Sequence, residues 1–288
     1  MFRYRILNPN IPLSRRFIHI TNNVLELVLG RSLGLTHVLE HPKCGGSWVR
    51  NMIRTYRGTD LFVHDRLLKP REVIMSHRLF RWRFGRSIVV VRDPRDMYVS
   101  FYHFQTSYEK PDRHSPIFEH FHHDPQLPVE EDFCNYLRAR LLYPAHPWFF
   151  FSQFLDSWLN RPSTCIVRYE DCLADPEAAL IRMLRFLGET VDLDRVRDTV
   201  RNTSFAAITA EKYGESRAAG QEDKSKFHRK GIAGDWRSYF NEEACILMEK
   251  FEGQSLRRLG YESDSHWVER HLGTQAPLSH ESESRKAE

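Results

Sequence analysis

The chain has 288 residues, a formal net charge of +4 at pH 7 and 41% hydrophobic residues, which is enough to bury a large core and too weakly basic for a broad nucleic-acid surface. Its five cysteines are odd in number and lack a CxxC pair, which excludes a disulfide framework or cysteine zinc site and suits a reducing, cytoplasmic compartment. Val24 to Leu39 comes nearest to a membrane span, but Glu26, Gly30, Arg31, Gly34 and His37 interrupt it, well short of the roughly 20 apolar residues required. A soluble protein without integral membrane association is expected, with residues 1–34 as an N-terminal segment and 35–272 as a single domain.

The first strand is predicted from Thr36 to His41, followed by Pro42-Lys43-Cys44-Gly45-Gly46-Ser47-Trp48 and a helix from Ser47 to Arg57. Backbone N–H groups at such a glycine turn have no intrahelical partner, and the helix dipole adds to their pull on an anion. Lys43 brings a full positive charge and Ser47 a hydroxyl, so a phosphate suits the turn. On these residues alone, a plain strand-to-helix turn that needs small side chains is an equal reading.

A second strand, Glu72 to Ser76, ends at His77, whose imidazole can either take a proton or simply hydrogen-bond at the strand end. The β-branched run from Ser87 to Arg92 reads as a parallel strand buried on both faces. Arg92 therefore sits at a strand's carboxyl end, where open α/β sheets collect ligands, and can fork onto phosphate oxygens. Ser100, in a helix predicted from about Arg95 to Ser107, can face the same anion. Tyr108 to Pro128 reads as a mobile loop of unusual length. Its His114, His120, His122 and His123 lack metal-ligand spacing, so a gate over an acceptor pocket is expected and metal is not.

Glu130 to Asn160 predicts two helices, separated around Pro144 and Pro147, with Trp148 to Phe151, Phe154 and Trp158 more suited to core than to a pocket wall. Thr164 to Arg168 is the fourth strand, with Glu170 and Asp171 as structural carboxylates at its end. Asp175-Pro176-Glu177 starts a capped helix that Gly188 stops. Arg229 and Lys230 form a pair of cations beside Gly231, and the polar stretch from Gly273 to the end reads as a disordered tail. The alternation of strands and helices predicts an α/β fold, an open and mostly parallel sheet flanked by helices.

Four of these segments together resemble the sulfotransferases that use 3'-phosphoadenosine-5'-phosphosulfate (PAPS), particularly the soluble, cytosolic type. Pro42 to Trp48 is similar to the family's phosphosulfate loop PKSGTTW, and Arg92 to Phe104 to its 3'-phosphate motif RNPKDxxxSxYHF. Arg229 to Trp236 is similar to RKGxxGDW, and Arg168 to Asp171 to (K/R)YED.

The resemblance implies the P-loop-NTPase-like sulfotransferase fold, with PAPS as co-substrate, 3'-phosphoadenosine-5'-phosphate (PAP) as product and no metal requirement. It assigns Lys43 to the 5'-phosphate and bridging oxygen, with Cys44, Gly45, Gly46, Ser47 and Trp48 cradling that phosphate and Trp48 flanking the adenine. Arg92, Ser100, Arg229, Lys230 and Gly231 hold the 3'-phosphate, Tyr169, Thr203 and Phe205 contact the adenine, and His77 is the general base.

Three positions depart from the pattern: Met75 stands for a lysine, Gly46 for a threonine and Cys44 for a serine, where a thiol at a helix N-terminus could have a lowered pKa. Arg237 to Glu243 matches the family's dimer motif only weakly, leaving the oligomeric state open. The expected partner is a small-molecule or glycan acceptor. A non-catalytic PAP-binding protein is the alternative, and a P-loop kinase is disfavoured because Lys43 precedes the glycines.

Overall fold

The structure, a computed structural model, describes residues 12–60, 66–80, 84–108, 116–145 and 147–275. Four parallel strands, β1 (Thr36–Glu40), β2 (Val73–Ser76), β3 (Ser87–Val91) and β4 (Thr164–Arg168), form a sheet in the order β2-β1-β3-β4. Leu39 pairs with Ser76 and Val89, and Val91 with Arg168, so the carboxyl ends of all four strands lie at one edge. Every residue of β1 and β3 is buried, as expected for central strands covered on both faces.

Helices cover both faces. Following β1, α2 (Gly46–Arg57) packs on one face, where the Ser47 hydroxyl meets the Met75 sulfur. On the other face His37 stacks on Phe84 with ring centroids 4.5 Å apart, and Phe84 lies parallel to Trp158 of α5 (Phe151–Trp158). After β3 comes α3 (Pro94–His103), started by Pro94 and by Asp93, which accepts a hydrogen bond from the Arg95 amide at 2.9 Å. Further along are α4 (Val129–Leu142), α6 (Tyr169–Ala174), α7 (Pro176–Leu187), α8 (Leu193–Asn202), α9 (Phe205–Tyr213), α10 (Glu242–Arg258) and α11 (Trp267–Gln275). As its sequence predicts, α7 is capped by Asp175 and ends at Gly188.

The N-terminal segment contains a helix that the sequence reading left unassigned, α1 (Leu13–Leu29). Its polarity is inverted: Asn22 bonds the backbone of Arg66 and Leu68, and Glu26 pairs with Arg78, while Leu13, Phe17, Val24 and Val28 are exposed. The apolar period is helical but faces outward, so it gives no sign of a core-facing helix.

The loop expected at Tyr108 to Pro128 is only partly a loop. The helix before it stops at His103 and continues as a π turn through Tyr108. Pro116–Glu119 is a 3-10 turn, Ile117 and Phe121 are buried in the core, and His123 Nδ1 lies 2.7 Å from the Asp132 carboxylate. His114 lies outside the described residues. Gly273 to Gln275, expected in the tail, belong to α11, which is anchored by buried Trp267 donating to Glu249 at 2.7 Å. The rest of the expected tail, 276–288, lies outside the described residues.

Candidate active site

At the carboxyl edge of the sheet lies a cavity of about 310 Å³. It is lined by Lys43, Gly45, Ser47 and Trp48 from the first loop, Arg92 and Ser100 from the third strand and its helix, and Tyr169 after the fourth. The wall is completed by Thr203, Phe205, Arg229, Lys230 and Gly231. Residues nearly 190 positions apart in sequence thus share one pocket.

The first loop turns sharply into α2. Lys43 has φ of 75° and Gly45 of 96°, and a side chain at Gly45 would meet the Tyr169 ring at 2.5 Å. A non-glycine residue with positive φ is uncommon and costs backbone strain, which the surrounding loop must hold. The Lys43 ammonium sits between the faces of Phe104 and Phe227, 4.2 and 4.0 Å from their centroids. Cys44 and Gly46 do not line the cavity. Buried against the core, the Cys44 thiol is pushed well above its ordinary pKa by desolvation and by Glu40, so the lowering considered for a helix N-terminus does not occur.

His77 follows β2, and its Nδ1 lies 3.0 Å from the Glu40 carbonyl oxygen. A carbonyl only accepts, so Nδ1 carries the proton and Nε2 keeps a lone pair. Burial and then the Lys43 charge lower its pKa, against the Glu40 hydrogen bond, so the ring is neutral at pH 7. It stands beside Lys43 without forming part of the cavity wall.

Arg92 donates to the backbone oxygens of Ile232 at 3.0 Å and Lys43 at 3.4 Å, and its guanidinium lies 4.6 Å from the Tyr169 ring centroid. Its Nε is buried with no hydrogen-bond partner among the described residues, a donor suited to an anion in the cavity. Arg229 and Lys230 both pair with Asp235. Against the raising effect of burial, these two cations hold the Asp235 carboxyl below its ordinary pKa.

The C-terminal loop reaches the cavity through Asp96, whose oxygens accept from the amides of Gly234 at 2.6 Å and Trp236 at 2.9 Å. Burial is the main reason that the Asp96 pKa is raised. Glu170 accepts from the Asp93 amide at 3.0 Å and from the Tyr261 hydroxyl at 2.6 Å, a structural pair of bonds.

At the far end, Trp48 and Tyr169 meet edge to face with centroids 5.8 Å apart, and the Trp48 indole N–H donates to the Thr203 carbonyl at 2.8 Å. Phe205 lies so close to Gly231 that a Cβ there would come within 2.6 Å of its ring. The wall can thus offer ring faces and edges to a flat heterocycle.

Sequence reasoning missed Glu40, Asp96, Phe104, Phe227 and Asp235. Glu40 had a visible signal, an acidic residue closing an otherwise apolar strand immediately before the loop. Asp96, Phe104 and Phe227 needed the fold, since each acts on a segment remote from its own motif, whereas Asp235 pairs with the two cations of the motif that contains it.

A strand-loop-helix turn sharing one cavity with cations from two other segments, at the carboxyl edge of a parallel sheet, is an α/β architecture of P-loop type. Residues 85–260 match the profile of the sulfotransferase domain, well over half of the chain. The chain belongs to the sulfotransferase domain family.

Human sulfotransferase 1C2 is 27% identical over 178 residues, covering 59% of this chain and 55% of that protein. Cytosolic sulfotransferase 10 of Arabidopsis thaliana is 26% identical over 213 residues, covering 68% and 57%. The chain therefore spans little more than half the length of these curated relatives. The fold is similar to mouse sulfotransferase SULT7A1 complexed with PAP, with a TM-score of 0.59, 18% identity and coverage of 85% of this chain and 92% of that one. Retinol dehydratase in complex with androsterone and PAP gives a TM-score of 0.52 at 16% identity, covering 78% and 81%.

Proposed function

We propose that this protein moves a sulfuryl group from PAPS to a hydroxyl or amine of a small-molecule or glycan acceptor, in the cytoplasm. The observation that carries the reading is the convergence of Lys43, Arg92 and the Arg229-Lys230 pair on one cavity walled by Trp48, Tyr169 and Phe205. Cations at two ends of an aromatic-lined slot suit a nucleotide charged at both its 5' and 3' positions. The buried, unpartnered Arg92 Nε and the cavity-lining residues Lys43, Gly45 and Ser47 of the first loop are the groups that such phosphates call for.

In this reading Lys43 leaves its place between the two phenyl rings for the bridging oxygen and neutralises charge on the departing phosphate. The Gly45, Ser47 and Trp48 amides and the Ser47 hydroxyl hold that phosphate in line. His77 Nε2 takes the acceptor's proton as the acceptor oxygen bonds to sulfur and the sulfur–oxygen bond to PAP breaks. The Glu40 carbonyl keeps the proton on Nδ1 throughout, which fixes the tautomer. Met75 brings no charge to the transferred group, so Lys43 carries that task on the loop side.

The test is a radiolabelled PAPS transfer screen against acceptors of several classes, run with wild type and His77→Ala beside calorimetry of PAP. Wild type is expected to label at least one acceptor, and His77→Ala to lose labelling by at least about 100-fold with PAP affinity changed less than threefold. Binding of PAP without transfer to any acceptor would instead establish a non-catalytic PAP-binding protein. Undiminished transfer by His77→Ala would remove the general base from the mechanism.

A further inference from the structure

Glu40 is the last residue of β1, 4% exposed, and its side chain turns beneath the loop that the proposed function gives to the 5'-phosphate. Its Oε2 accepts the Gly46 amide at 2.6 Å. That amide is the first N–H of α2, one of the orphan donors that make a helix start attractive to an anion. A carboxylate of the protein itself therefore already occupies one of the loop's donors.

The space is as informative as the bond. A Cβ built on Gly46 would lie 2.7 Å from Glu40 Cδ and 3.0 Å from Cγ, so the carboxyl group fills the room that a side chain at position 46 would need. Glu40 and Gly46 form a matched pair, the acid present where the neighbouring side chain is absent. Glu40 also lines the cavity next to Lys43 and Ser47.

A phosphate and an ionised carboxylate cannot share such a site cheaply. Like charges at close range in a desolvated pocket force one of them to take a proton. The groups facing Glu40 are Lys43 and the Cys44 thiol of the loop, Arg50 of α2, and His77, which reaches its carbonyl from the end of β2. Lys43 and Arg50 favour the charged form, but desolvation outweighs them and raises the Glu40 pKa to about 7. The proton is therefore available near neutral pH. The neutral acid keeps one oxygen to accept the Gly46 amide and gains an O–H to donate, a role that carboxylic acids held neutral can fill.

We propose that Glu40 is a donor-site residue that binds the 5'-phosphate of the nucleotide as a neutral acid, taking up one proton from solvent as the nucleotide enters. It thereby supplies the hydroxyl that a threonine at position 46 would have offered. The inference rests on the PAPS reading of the cavity and adds to it a proton linkage. PAP affinity should fall by up to about tenfold per pH unit above the Glu40 pKa, relative to a protein in which position 40 cannot ionise.

The experiment is calorimetry of PAP with wild type, Glu40→Gln and the double variant Glu40→Thr/Gly46→Thr, from pH 6 to 8.5 in buffers of different ionisation enthalpy. Gln keeps an acceptor for the Gly46 amide without the charge, and the double variant fills the same space differently, so misfolding of one leaves the other to read. Comparison with a variant cancels titration of the PAP phosphates and of His77. Wild type is expected to take up nearly one proton more than either variant at pH 8 and to bind PAP at least about fivefold more weakly than Glu40→Gln there, with affinities converging at pH 6. Equal proton uptake and parallel pH profiles would overturn the role of Glu40 while leaving the donor reading intact. Absence of PAP binding by all three proteins at every pH would overturn both.

Discussion

Among the described residues, the buried acids Glu40, Asp96 and Glu252 hold their protons more tightly than an ordinary carboxylate, each chiefly because burial desolvates it. Glu40 ends β1 beneath the first loop, Asp96 ties the 229–236 segment to α3, and Glu252 sits in the core with no part in the cavity. Glu252 accepts from the Ser255 hydroxyl at 2.7 Å, yet desolvation raises its pKa to about 7. A group that holds its proton longer when folded favours folding at low pH. Its unfolded form ionises from about pH 4.5 upward, so the penalty grows between there and pH 7 and is complete above, on the order of 3 kcal/mol. Glu252→Gln is therefore expected to raise the unfolding temperature at pH 8 by about 5 °C and to change it little at pH 4. Thermal scans at the two pH values read the difference, and an equal shift at both would show that the side chain's charge is not the cause.

Among the elements, the C-terminal loop holds the least forgiving contact with the cavity. Gly231 has φ of 68°, and the Phe205 ring stands where its Cβ would be. Alanine there meets both an unfavourable backbone region and a ring that cannot recede without opening the aromatic wall. Gly231→Ala is expected to weaken PAP binding by at least tenfold while lowering the unfolding free energy by about 1–2 kcal/mol, because the loop lies at the edge of the core. Calorimetry together with chemical denaturation separates the two effects. A large stability loss with unchanged PAP affinity would place the Phe205–Gly231 contact outside the binding surface.

For the whole molecule, a cavity assembled from five segments ties ligand binding to the integrity of the fold. PAP at 100 times its Kd should stabilise the native state by about 2.7 kcal/mol, since the unfolded chain offers no such convergence. Hydrogen exchange should show the protection concentrated in residues 41–48, 92–100 and 227–236, and uniform protection would mean that the ligand binds elsewhere. The order of strands and helices was legible in the sequence because β1, β3 and β4 are dense in β-branched and apolar residues between clear turn signals. The cap at Asp175 likewise declared its helix.

The inverted helix α1 was illegible, since Leu13, Phe17, Ile20, Val24 and Val28 are exposed while the polar Asn22 and Glu26 carry tertiary contacts. Motif reading proposed the cavity cations and aromatics but not their internal partners. Asp96 bonds amides 138 and 140 positions away, which linear spacing does not record, whereas Glu40 and Asp235 hold partners only five or six residues off, brought back onto them by the folded turns.

Asp235 closes the account that Glu40 opens. At each end of the slot an acid of the protein stands beside the donors, a glutamate beneath the first loop and an aspartate paired with Arg229 and Lys230. An entering molecule with one anionic terminus relieves only one of these internal pairings, whereas one with two well-separated termini addresses both. On the PAPS reading, preference for a nucleotide charged at both ends would then arise from the contacts that the protein's own acids give up as much as from the donors it offers.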